Sequence, residues 1–188
     1  MRIKYPEMGI CGLSCQLCPM YHTDSNSRCE GCKSESRMTL GCPFITCAIK
    51  KKEIEFCWEC KDSINCEKWR KHREAGGKFD SFKCYQKLEE DINCIQENGF
   101  EEYKKLQNIR EEILRDMLSN FNEGRSKSYY CIAVTVMKVE ELKQALIRAK
   151  ENSYGFDIKS KSKVLHAILD ETAKQEGYYL RLRKKSEL

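Results

Sequence analysis

Phe100-Glu-Glu-Tyr-Lys-Lys-Leu-Gln-Asn-Ile-Arg-Glu-Glu-Ile-Leu-Arg-Asp-Met-Leu-Ser-Asn-Phe121 decides the fold class. Its residues Phe100, Tyr103, Leu106, Ile109, Ile113, Leu114, Met117, Leu118 and Phe121 recur at steps of three and four. That spacing predicts one face of an amphipathic helix of about six turns. Asn122 and Gly124 supply its stop signal. Downstream, Val139, Leu142, Ala145, Leu146 and Ala149 predict a second helix. Val164, Leu165, Ile168, Leu169 and Thr172 predict a third, ended by Gly177. Cys131-Ile-Ala-Val-Thr-Val-Met137 is almost wholly apolar. Its β-branched residues fit a strand and its continuity with the next segment fits a buried helix; we read it as helix. Tyr178-Tyr-Leu-Arg-Leu-Arg183 alternates loosely and predicts a short strand. The expected class is mainly α with small α+β character.

Upstream the composition changes. Ten cysteines fall in one stretch: Cys11, Cys15, Cys18, Cys29, Cys32, Cys42, Cys47, Cys57, Cys60 and Cys66. Three pairs are Cys-x-x-Cys. Residues 1–75 lack long apolar runs and carry turn chemistry such as Cys18-Pro19 and Glu30-Gly31-Cys32. Such a segment buries little apolar surface and is expected to need metal to fold. The expected organisation is a cysteine-rich, metal-nucleated domain over 1–75, a hinge at Gly76-Gly77, and a helical domain of three or four helices over 78–188.

A structural zinc takes four thiolate or imidazole ligands in a tetrahedron, with sulfur at about 2.3 Å. Cys15–Cys18 and Cys29–Cys32 form two knuckles only ten residues apart. Cys57–Cys60 forms a third, with Cys42, Cys47 and Cys66 as candidate partners. Ten ligands exceed the eight that two mononuclear sites require. Either two cysteines are structural or the metal is not simply two zincs. Buried free thiols are the plainer alternative, but thiols at this density cluster for metal or reactivity. Zinc is the expected metal and an iron–sulfur cluster the alternative. Cys11-x3-Cys15-x2-Cys18-Pro19 has the spacing of the radical-SAM cluster and resembles the ferredoxin ligand before proline. The βα barrel of radical-SAM enzymes has no counterpart in this helical downstream sequence. Cys57-Trp-Glu-Cys60 has redox-pair spacing without a βαβ context, so ligation is the better reading. His22 lies in the cysteine-rich region and is a possible ligand, though a solvated histidine is the default; His166 reads as structural. Cys84, Cys94 and Cys131 read as buried free thiols.

Charge narrows the partners. The chain holds 34 Lys+Arg against 29 Asp+Glu, a net +5. Residues 1–75 carry 13 against 10 and the remainder 21 against 19, so both parts are mildly basic and mixed in sign. That is a weak argument for nucleic acid. No stretch approaches the ~20 apolar residues of a membrane span, and Met1–Ile10 lacks the apolar core of a secretory signal. With thirteen cysteines, an odd number, a reduced cytoplasmic chain is expected rather than a disulfide framework. Phe121-Asn-Glu-Gly-Arg-Ser-Lys-Ser-Tyr-Tyr-Cys131 sets Arg125 and Lys127 beside a glycine, a candidate site for a small anion at the domain junction. A polar connection between helices is the plainer reading. No nucleophile–base pair is legible. A scaffold or interaction module with a protein partner is therefore favoured over an enzyme.

Cys11-Gly-Leu-Ser-Cys15-Gln-Leu-Cys18-Pro-Met-Tyr21, Cys29-Glu-Gly-Cys32, Cys42…Cys47-Ala48, Glu55-Phe-Cys57-Trp-Glu-Cys60 and Cys66-Glu-Lys68 together resemble one prokaryotic cysteine-rich family. It is the family catalogued as domain of unknown function 3795. Phe121–Cys131 is similar to the C-terminal extension of some members. The resemblance implies a bacterial or archaeal cytoplasmic protein with a metal site. It implies no reaction and no catalytic residue.

Overall fold

The computed structural model describes residues 2–39, 42–81 and 83–185. Six longer helices follow a cysteine-rich segment of short turns: α1 (Glu67–Lys78), α2 (Leu88–Asn98), α3 (Phe100–Phe121), α4 (Lys127–Val136), α5 (Val139–Asn152) and α6 (Ile158–Glu176). The one β feature among the described residues is an isolated antiparallel bridge, Met8 to Ser14. The fold is mainly α, as the periodicity requires.

Helix α3 is the axis. It packs against α2, α4, α5 and α6. Ile113, Leu114, Met117 and Phe121 face one continuous core shared with α4, α5 and α6. Ile109, expected on that face, is exposed, while Gln107 and Glu111 are buried instead. The reason is a second buried face. Glu111 and Asn108 both accept from Gln16 Nε2, at 2.6 and 2.9 Å, so the cysteine-rich segment docks there by hydrogen bonds.

The apolar run at 131–137 resolves as helix α4 with Met137 as its C-cap. Tyr130 to Val134 and Val136 are buried, and a helix that is apolar almost all round belongs in the core. Asp157 caps α6 by accepting from the Lys159 and Ser160 amides, and Gly177, with φ +77°, ends it in the left-handed conformation.

Two expectations are overturned. Gly76 and Gly77 lie inside α1 rather than at a hinge. Gly76 is buried, and a Cβ there would stand 3.0 Å from Leu88 Cδ2 and 3.1 Å from Tyr85 Cδ2. It is a close-approach glycine between α1 and α2. Tyr178–Arg183 is irregular rather than a strand, because among the described residues no neighbouring strand offers it a ladder. It is pinned by single contacts. Arg183 donates its guanidinium to the Gly76 and Gly77 carbonyls at the end of α1 and to Asp80, and the Asp80 amide donates to the Arg183 carbonyl at 2.9 Å. No helix of the described residues is long and apolar enough to cross a membrane.

Candidate functional site

The first knuckle is built by turns. Gly9 N–H donates to Leu13 O, Cys15 N–H to Glu7 O and Cys18 N–H to Cys15 O. The second needs Gly31, whose φ is +107° and whose missing Cβ would meet Pro6 O at 2.9 Å. Cys32 N–H donates to Cys15 Sγ at 3.3 Å, which joins the two knuckles.

Beside them lies a buried ion pair. Lys33 Nζ donates to Glu55 Oε2 at 2.9 Å and to Tyr5 O at 3.1 Å. Glu55 also accepts from the Lys4 and Tyr5 amides. The two side chains are 0% and 10% exposed. Burial works against the Glu55 carboxylate, but Lys33 and the two amides outweigh it and hold the carboxyl below its usual range. Lys33 also sits 3.9 Å from the Phe56 ring centroid. This pair ties the backbone at Lys4 and Tyr5, the Cys29–Cys32 knuckle and the approach to Cys57.

Six of the ten clustered cysteines line one cavity of about 250 Å³: Cys11, Cys15, Cys18, Cys29, Cys32 and Cys42. Two cations border it. Lys83 enters from the segment before α2, and Arg37 from the turn Glu35–Met38. Within the cavity the Cys15 thiol is lowered to about 6, first by the hydrogen bond with Cys32 and then by Lys83. Cys32 is pushed the other way by the same contact and by burial.

The other four cysteines, Cys47, Cys57, Cys60 and Cys66, do not line that cavity; Cys57 and Cys66 pack against the cluster of Leu13, Trp69, Leu88 and Ile92. Cys47 lies in a π-helical turn, Thr46–Lys51, Cys57 and Cys60 flank a 3₁₀ turn, and Cys66 is the N-cap residue of α1. Burial, then the thiols of Cys11, Cys66, Cys47 and Cys60, push the Cys57 thiol up to about 12. Cys11 thus stands between the two groups. Lys52 Nζ lies 3.2 Å from Cys60 Sγ. All thirteen cysteines are unpaired. Among the described residues, no three His, Cys, Asp or Glu side chains stand close enough together, as placed, to hold one ion.

The remaining candidates fall elsewhere. His22 bonds the Gln16 carbonyl and is half-buried, its ring edge-on to Tyr21. Cys131 is buried in the helical core, while Cys84 and Cys94 are half-buried. Arg125 and Lys127 do not share a site. Lys127 donates to Thr23 Oγ1 at 3.1 Å across the junction with the cysteine-rich segment, whereas Arg125 lines a separate groove between the start of α4 and α6.

That groove contains a network the sequence did not announce. Glu123 Oε2 accepts from Ser126 and Ser162, each at 2.6 Å, and His166 Nε2 lies 2.8 Å from Ser126 Oγ. Burial opposes the carboxylate, yet the two hydroxyls bring Glu123 down to about 2. Because Ser126 gives its proton to Glu123, His166 donates to Ser126, and no base faces a nucleophile. The Tyr129 ring stacks on His166 at 4.0 Å. The network fastens α4 to α6.

Lys83 and Arg37 are the site residues that sequence reasoning missed. A lysine beside Cys84 and an arginine in a short polar turn carry no periodic signal, and only the tertiary fold brings them to the sulfurs. No curated protein and no solved structure matches the chain. The stretch that builds the sulfur-lined cavity does match a family model: residues 7–71 match the family described as "Protein of unknown function (DUF3795)", the one that the cysteine spacing resembles.

Proposed function

We propose that the cysteine-rich segment is a thiolate metal-binding module that carries a structural zinc at Cys47, Cys57, Cys60 and Cys66 and serves as a scaffold for a protein partner. The observation that carries this reading is the division of ten cysteines into two groups, in a segment with little apolar interior. Four thiolates suit zinc, and a zinc at these four would join the Thr46–Lys51 turn, the Cys57–Glu59 turn and the start of α1. Closure there needs side-chain rotation, since the sulfurs do not converge as placed. Ligation releases thiol protons, so affinity rises with pH.

The test is elemental analysis of purified protein, followed by circular dichroism during chelation. Near-integer zinc is expected. Chelation should release the fold around Trp58 and Trp69 while most helicity survives, because the C-terminal helices share their own core. Protein with no bound metal and thirteen freely reactive thiols would sink the reading.

A further inference from the structure

The inner cavity is set apart by its volume and by the two cations that line it, Lys83 and Arg37. Its six sulfurs line about 250 Å³, two sulfurs more than one tetrahedral zinc takes. A tetrahedral zinc holds its sulfurs only roughly 3.8 Å apart, as its bond length of about 2.3 Å requires. Sulfurs spread around a cavity of this volume suit a group several ångströms across, with metal and sulfide standing between the cysteines.

The charge argument is independent of the volume. Lys83 is 6% exposed, and its hydrogen-bond partner among the described residues is the Ser14 carbonyl, at 3.1 Å. Asp91 lines the small cavity behind it, but burial pushes its carboxyl up to about 7 and so works against its charge. A buried ammonium without a carboxylate is costly unless another negative group faces it. Here the facing groups are sulfurs: Cys15, Cys32, Cys11 and Cys18. Arg37 faces Cys29, Cys32 and Cys18 from the opposite knuckle. The two cations therefore bracket Cys15, Cys18, Cys29 and Cys32. Four thiolates with a cluster carry net negative charge, which is what a lone buried cation requires.

We propose that the inner cavity holds a polynuclear iron–sulfur cluster on Cys15, Cys18, Cys29 and Cys32, with Lys83, from outside residues 7–71, as its buried counter-ion. This rests on the metal-binding reading above and sharpens it. Lys83 is a positioning residue. It does not ligate, but it fixes the charge the cavity accepts, and it makes the helical part of the chain necessary for the site. Groups that sit behind the ligands and hold their charge are worth about ten- to a hundred-fold in metal affinity.

The experiment uses the full chain, purified and reconstituted without oxygen with ferrous iron and sulfide, as wild type, Lys83→Met and Lys83→Arg. Iron, sulfide and zinc are counted, the visible spectrum is recorded, and the melting temperature of each apo-protein is measured. Expected are iron with matching sulfide and absorption near ~400 nm in wild type and Lys83→Arg. Lys83→Met should lose its cluster to a chelator about ten-fold faster or more, while its apo-protein melts no lower than wild type. A merely structural lysine predicts the reverse: a lower apo melting temperature in Lys83→Met and unchanged iron retention, and that result overturns the proposal. Colourless protein with zinc in both groups also overturns it and leaves the metal-binding reading standing. Protein that retains no metal at all overturns both.

Discussion

The two parts of the chain solve the same problem with different chemistry. Helices α3 to α6 share one continuous apolar core, from Ile113 and Leu114 through Leu142 to Leu165 and Leu169. The cysteine-rich segment has one small apolar cluster of its own, Ile10, Ile45 and Ala48, and shares two more of four buried residues each with α1, α2 and α3, with thiols, a buried ammonium and a buried ion pair between them. A core of the first kind is stable through area removed from water. One of the second kind is specified by pairing, because each buried charge is costly until its partner is in place. Loss of one apolar side chain should therefore weaken the helices gradually. Loss of one charge should undo the cysteine-rich segment.

The largest effect should come from splitting the Lys33–Glu55 pair. Glu55→Gln leaves a fully buried ammonium without its charge and should cost about 3–5 kcal/mol. Trp58 and Trp69 are the chain's two tryptophans, and Trp58 stacks on Phe56 at 4.5 Å beside this pair. Their fluorescence in urea reads the loss directly. The pH dependence has a definite sign. The folded Glu55 pKa lies below that of the unfolded chain, so its contribution is complete above about pH 4.3, the ordinary glutamate value. It fades as pH falls through and below that point. Glu55→Gln should lack this component of acid sensitivity. An unchanged urea midpoint would mean that the pair contributes nothing and that the contrast between the two parts is false.

Next in size is Leu165→Ala, a fully buried leucine in α6. Truncation should cost about 2–5 kcal/mol through lost burial and the cavity left behind. The helical circular dichroism midpoint should move further than the tryptophan midpoint, since both tryptophans lie outside this core. Equal shifts would make the chain one cooperative unit. The ties between the parts would then carry more than expected: Gln16 to Glu111, Lys104 to Glu7 and Lys127 to Thr23.

The same contrast explains what was legible in the sequence. Apolar periodicity located α3, α5 and α6 because an apolar core leaves a periodic trace. It marked 131–137 as buried without separating helix from strand, and the all-round burial of α4 is why. α1 left almost no trace, because among its residues only Trp69 and Gly76 are buried. In α2, Leu88, Ile92 and Ile95 recur at helical steps and leave a short trace around Ile92 and Cys94. For the site, spacing identified the cysteines but not their grouping. Cys42 lines the inner cavity and also packs, with Cys57, against Ile10, Ile45 and Ala48, and Cys11 stands between the two groups. Lys83 could not be found at all, since a charge that meets its partners only through the tertiary fold has no local pattern.

The smallest effect concerns the glycine pair between the two parts, where neighbouring positions should answer with opposite sign. At Gly76 a Cβ would press on Leu88 and Tyr85 at 3.0–3.1 Å. Gly76→Ala should therefore push α1 from α2 and cost about 1–3 kcal/mol. At Gly77 nothing lies within 4 Å, and the residue is helical. Gly77→Ala should stabilise by up to about 1 kcal/mol, because alanine loses less backbone freedom on entering a helix. A hinge predicts a different outcome. Both substitutions would then stiffen the joint alike and leave the tryptophan midpoint with one common shift. Opposite shifts would establish α1 as a rigid strut whose close contact with α2 sets the position of Lys83 against the sulfurs. That makes the glycine at 76, seven residues before the lysine, part of how the helical region reaches the inner cavity.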